Sequence, residues 1–135
     1  MRSRFICTYI NGMSSWPQDQ RVKSVVVHAG TADIAAMTRQ VENLHAAAPD
    51  AAIDVVALGA GIDMALAQQV PEAAALRTSR VRQLLAHGVR VLACANTMRS
   101  RGLTASDLIS GVSVVPSGVA ELASRQWDGA AYLRL

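Results

Sequence analysis

Cys94 lies in VLACANTMRSRG, residues 91–102, where strand-forming residues give way within three positions to polar, helix-prone ones. A thiol at such a junction is a small buried hydrophobe, a metal ligand or a nucleophile. The backbone N–H groups and the dipole of a helix start favour the thiolate, which is the reactive form. Asn96 or Thr97 is placed to cap the helix that follows. The bland alternative, a last buried residue of an apolar strand, fits the pattern equally well. The chain has two cysteines, Cys7 and Cys94, and they are far apart. With no Cys-x-x-Cys they make neither a zinc ribbon nor a thioredoxin-type pair, and a reducing, cytoplasmic setting fits best.

The other reactive side chains are weighed against Cys94. His28, His45 and His87 are separated by whole elements and none has a partner three to five residues away, so no metal site is expected. His28, at a strand end, is the one placed to serve Cys94 as proton shuttle or thiolate partner; a satisfied strand-end histidine is its plainer role. LGAGIDM puts Gly59 and Gly61 after a strand, but the third glycine of a dinucleotide fingerprint is Met64, and no acidic residue ends the next strand. Gly59 and Gly61 then serve a tight turn or the close approach of another backbone. Neither Ser117 nor Ser100 lies in a Gly-x-Ser-x-Gly, and Ser117 in VPSGV is explained as a helix cap. Nothing calls for a cofactor.

These residues need elements to hold them. Residues 1–22 cluster turn formers without a period and read as an N-terminal arm or irregular lead-in; residues 23–135 read as one α/β domain. KSVVVHAG is the first strand, and Thr31 is expected to cap a helix whose stripe is Ile34, Met37, Val41, Leu44 and Ala48. IDVVALG is the second strand, followed by a short helix or helical turn and, from Pro71, a less regular connection. A helix over about 77–87 stops at Gly88. VRVLAC, VSVVP and AAYLRL are the remaining strands, with a helix from Ser117 to about Trp127 between the last two. Strands alternating with helices imply a mainly parallel sheet whose reactive site lies beyond the carboxyl ends of the strands, where His28, Gly59, Cys94 and Ser117 fall.

At 135 residues, 51% hydrophobic and 17% charged, the chain has the composition of one globular domain, and no apolar run is long enough to span a bilayer. The net charge of +3 comes from scattered arginines without aromatic residues interleaved, which is not the footprint of a nucleic-acid binder. FICTYI after Arg2 and Arg4 is cut short by Asn11 and Gly12 before it reaches the length of a signal-peptide core. Alanine-rich faces with few aromatics suggest apolar surface completed by a neighbouring subunit.

KSVVVHAG, QVENLHAAAPDAAIDVVALGAGIDM, LLAHGVRVLACANTMRSRGL and VVPSGVAELASRQWDGAAYLRL, taken in order and spacing from about residue 23 to the C-terminus, resemble the DsrE/DsrF-like family, also called the YchN-like fold. Asn43, Gly59, Cys94 and VPSGV fall where the family pattern places such residues. The resemblance implies a three-layer α/β/α sandwich with a five-stranded sheet, a homotrimer or homohexamer, and a cysteine that carries sulfur as a persulfide, which maps onto Cys94. With no second cysteine near Cys94, bound sulfur would pass to an outside thiol. The expected function is an intracellular sulfur carrier that exchanges with a donor or acceptor protein, with Cys94 as acceptor, His28 assisting, and Asn96, Thr97 and nearby N–H groups stabilising the sulfur anion. The alternative is a noncatalytic oligomeric module that binds a small anion or nucleotide at the same cleft through Gly59, Gly61, Ser117 and neighbouring arginines. A third reading is a scaffold for other subunits.

Overall fold

The structure, a computed structural model, describes residues 23–67 and 71–135. The expected N-terminal arm, with Cys7 in it, lies outside the described residues. Five strands form one sheet in the order β4-β3-β2-β1-β5: β1 Ser24–Ala29, β2 Ala52–Ala57, β3 Arg90–Cys94, β4 Ser113–Val115 and β5 Ala131–Arg134. Every pairing is parallel. The fold is therefore mixed α/β, and the parallel sheet is built on the β-branched runs VVV, IDVV and VSVV; the central strands β1, β2 and β3 are buried on both faces as such sheets require, while the edge strands β4 and β5 are largely exposed.

Side chains alternate along each strand, and the two faces are covered differently. On one face Val27, Val55 and Val91 pack with α1 (Ile34–Ala47) and α2 (Glu72–Ala86), which bring Met37, Val41, Val81 and Leu84 into the larger core. On the other, Leu122 of α4 (Gly118–Trp127) sits on Val26, Val56 and Leu92. Burying one such leucine stabilises the fold by about 1.5–3 kcal/mol. The layers are thus helix, sheet, helix.

Two boundaries differ from the sequence reading. Asp33, not Thr31, caps α1, accepting the Ala36 N–H at 3.0 Å. Helix α2 begins at Glu72 rather than near residue 77, and Pro71 is its N-cap instead of the start of an irregular connection. Its early turns are buried through Ala74 and Thr78, residues too small or too polar to register as an apolar stripe. After β2 the chain forms the expected helical turn, a 3-10 segment at Gly59–Ala65. There Gly61 passes so close to β1 that a Cβ would stand 1.9 Å from the Ala29 carbonyl oxygen, so this turn tolerates no side chain.

Topology sets the site. α4 leaves β4 at the carboxyl end of the sheet and crosses back over β3, β2 and β1 to reach β5, so its first turn hangs over the end of β3. Its last turn is pinned at the opposite edge, where Arg125 reaches the Asp54 carboxylate at 2.5 Å and Glu121 at 2.6 Å. Arg90 meets Asp54 through two bonds, 2.6 and 2.7 Å.

Candidate functional site

β3 ends at Cys94, and α3 (Ala95–Ser100) begins on the next residue. Cys94 is itself the N-cap of α3, with φ −74° and ψ 117°, a role the sequence reading gave to Asn96 or Thr97. The neutral thiol makes no capping hydrogen bond there, in keeping with sulfur as a weak acceptor. A thiolate is a different acceptor, because its charge engages the Asn96 and Thr97 N–H groups at the start of the helix.

The second contribution comes from α4. The N–H of Gly118, the first residue of that helix, donates to Cys94 Sγ at 3.2 Å. Ser117 caps the helix, its hydroxyl accepting the Ala120 N–H at 3.2 Å, and so leaves the Gly118 N–H free for the sulfur. Glycine at 118 eases this approach: a Cβ would lie 3.2 Å from the Cβ atoms of both Cys94 and Leu58, close enough that a neighbour would have to give by a few tenths of an ångström. Sequence reasoning noticed the serine and passed over the glycine beside it; the Ser-Gly pair at the start of an amphipathic run was the available signal.

Thr97 joins a third segment to the site. Its Oγ1 accepts the Gly59 N–H at 3.0 Å, which ties the 3-10 turn after β2 to α3. Burial is the largest single influence on the thiol and pushes its pKa up. The Thr97 N–H, the Gly118 N–H, the Thr97 hydroxyl and the Asn96 N–H together outweigh it, and the pKa lies below the ordinary thiol value. The residue is 4% exposed. It lies just beneath the surface, because Gly59, Ala60, Asn96 and Ala120 around it are exposed.

The structure thus gathers Cys94, Asn96, Thr97, Gly59 and Ser117 at one sheet edge and leaves three expected site residues elsewhere. His28 lies in register with Val56, and Val56 with Leu92, so it sits two strands from β3 and two residues short of the Cys94 level. Two strand spacings are about 10 Å. Its Nδ1 is instead 2.7 Å from the Tyr132 hydroxyl, and burial, then the charge of Arg134, lowers its pKa. Asn43 is exposed on α1, across the sheet from the Cys94 side chain. Gly61 is buried against β1 and has a packing role. Among the described residues no three His, Cys, Asp or Glu side chains cluster as metal ligands, and no helix is long and apolar enough to cross a membrane.

Known structures share this architecture. The protein of unknown function MTH1491 from Methanobacterium thermoautotrophicum is 34% identical, with a TM-score of 0.74 over 84% of this chain and 99% of its own. The ychN protein from E. coli, 19% identical, aligns with a TM-score of 0.70 over 85% of this chain and 100% of its own. BT1422 from Bacteroides thetaiotaomicron, a conserved protein of unknown function, is 14% identical with a TM-score of 0.64, over 84% of this chain and 95% of its own. No curated protein matches the chain. The sequence profile of the DsrE/DsrF-like family matches residues 21–135. With that match spanning the sheet, both helix layers and the Cys94 edge, the chain belongs to the DsrE/DsrF-like family.

Proposed function

We propose that the protein is a sulfur carrier in which Cys94 holds one sulfur atom as a persulfide and passes it to an outside thiol. The observation that carries this reading is the Gly118 N–H donated to Cys94 Sγ at the meeting of two helix starts, a setting that lowers the thiol pKa. Family membership supports it, since a sulfur-relay role is what the family suggests. In the chemistry that follows, the Cys94 thiolate attacks the outer, zero-valent sulfur of a sulfane-sulfur donor, the donor's own S–S bond breaks, and its electron pair leaves on the donor's remaining sulfur as a thiolate. The persulfide formed is more acidic than a thiol, so it remains an anion at neutral pH and keeps the same N–H partners. Asn96, Thr97 and Gly118 hold that anion. His28, engaged with Tyr132, has no place in the step within one subunit.

A cytoplasmic location belongs to the same proposal, because the acceptor thiol must stay reduced between cycles. So does self-association as a trimer or hexamer. Its support is the apolar surface left on α4 and β5, where Val119 is 68% and Trp127 83% exposed and Tyr132 and Leu133 are also open.

The anion-binding module is less well supported. Gly61, one of the residues expected to bind the anion, is sealed against Ala29. The decisive test is to treat the full chain with a sulfane-sulfur donor and locate the added sulfur by peptide mass spectrometry. Cys94 gains one sulfur before Cys7, and a reduced low-molecular-weight thiol removes it. If Cys94 stays unmodified and resists alkylation while Cys7 reacts, the thiol is a packing residue and the carrier reading is lost.

A further inference from the structure

Two of the histidines, distant in sequence and without a partner three to five residues away, meet at the edge of the sheet opposite Cys94. α1 and α2 each carry the chain back from the carboxyl end of one strand to the amino end of the next, so their last turns lie side by side. His45 is in the last turn of α1, and His87 is the C-cap of α2. Their ring centres are 5.5 Å apart and the ring planes are inclined by 20°.

Two features hold the rings there. Earlier along the same helices Arg80 clasps Glu42 through bonds of 3.0 and 2.5 Å, which clamps α1 to α2. At the end of α2 the His87 N–H donates to the Gln83 and Leu84 carbonyls, the Gly88 N–H to Leu85 and the Val89 N–H to Leu84. Gly88 makes this closure at φ +93°, so the backbone that carries the His87 ring is fixed. His45 is half-buried and His87 exposed, which leaves the pair open to solvent.

We propose that His45 and His87 form a binding site for a divalent transition-metal ion of the zinc, nickel or copper type. An imidazole nitrogen binds zinc at about 2.0–2.1 Å, which puts each ring centre about 3.2 Å from the metal and spaces two centres by about 5.2 Å at a tetrahedral angle. The observed 5.5 Å is close to that spacing, so binding asks the rings to turn toward a shared ion and the helices to stay where they are. Imidazole selects these ions over magnesium and calcium, which prefer oxygen. The carboxyl ends of α1 and α2 add the negative poles of two helix dipoles, and these favour a cation. Among the described residues no third His, Cys, Asp or Glu joins the pair. Water or an outside ligand fills the other positions, so the ion is exchangeable, unlike one in a closed four-ligand structural site. The site shares no residue with the Cys94 edge and is independent of the carrier reading.

The test uses the untagged full chain carrying Cys7→Ser and Cys94→Ser, which removes competing thiols, with zinc(II), nickel(II) or magnesium(II) added at neutral pH. Titration calorimetry is expected to show one zinc or nickel ion per chain and no magnesium. His45→Gln and His87→Gln are each expected to weaken zinc binding by at least about tenfold, the lower end of what losing even an outer partner of a metal ligand costs. His28→Gln, at the other sheet edge, is expected to change it by less than about twofold. Circular dichroism checks that each variant is folded. A second readout needs no substitution: in the unaltered chain, zinc is expected to shift the ring NMR resonances of His45 and His87 and to leave those of His28 in place. Absence of zinc and nickel binding, undiminished binding in either folded variant, His45 and His87 resonances that do not move together, or magnesium binding as tight as that of zinc overturns the proposal.

Discussion

The Gly118 N–H lies 3.2 Å from Cys94 Sγ across 24 residues of sequence, so the first turn of α4 and the last residue of β3 form one acceptor site. This contact is eased because residue 118 has no side chain. In Gly118→Ala the new Cβ meets the Cβ atoms of Cys94 and Leu58 at 3.2 Å, and both are anchored to backbone. The start of α4 then moves off the sulfur. We expect a loss of about 1–2 kcal/mol in urea unfolding, as for a tight overpacked site, and a rise in the pH midpoint of Cys94 alkylation. An unchanged alkylation profile would separate the glycine from the thiol's acidity.

Stability should depend on pH through the same thiol. The folded pKa of Cys94 is lowered, so between it and the unperturbed value of 9.0 the unfolded chain holds a proton that the folded chain has released. Stability therefore rises with pH through that window and is lost as pH falls through the folded value. Urea unfolding of the protein and of Cys94→Ser at several pH values up to 9.0 is the check. The difference between the two should grow with pH; a flat or falling difference contradicts the downward shift.

At the other end of α4, Asp54 is 6% exposed and is held by Arg90 and Arg125. Asp54→Ala leaves two guanidinium groups without their shared carboxylate and should cost about 2–3 kcal/mol, short of a fully buried pair because both arginines reach water. Arg90, whose side chain is 57% exposed, should cost under about 1 kcal/mol when replaced by alanine. Arg125→Ala should cost more, since at 26% exposure it also anchors the helix over the site. Thermal or urea unfolding of the three variants gives the order, and equal losses for the two arginines would refute it.

The two glycines after β2 should respond differently. Gly61→Ala forces a Cβ to 1.9 Å from the Ala29 oxygen, with backbone on both sides, and should yield little or no folded protein. Gly59→Ala meets no atom within 4 Å but sits at φ +56°, where alanine costs about 1–2 kcal/mol. Circular dichroism of the purified variants distinguishes the cases, and a stable Gly61→Ala would refute the packing role given to that residue.

Much of this architecture was legible in the chain itself. The β-branched runs that form strands, the Ser117 cap and the stop at Gly88 followed from residue type and spacing, because each is a local preference, and the family was legible separately, as a resemblance of four ordered segments. Cys94 at a strand end was visible for the same reason. The start of α2 was hidden because Ala74 and Thr78 carry little apolar signal, although both are buried. His28 was expected beside Cys94 because both end strands at the same sheet edge, yet β2 lies between their strands and the pair never meets. Strand order is a property of the assembled sheet, set by how crossovers pack, and adjacency in it cannot be counted along the chain. The same holds for Gly118. Sequence shows a glycine after a cap, and only the return of α4 over β3 turns its N–H into the group that holds the sulfur.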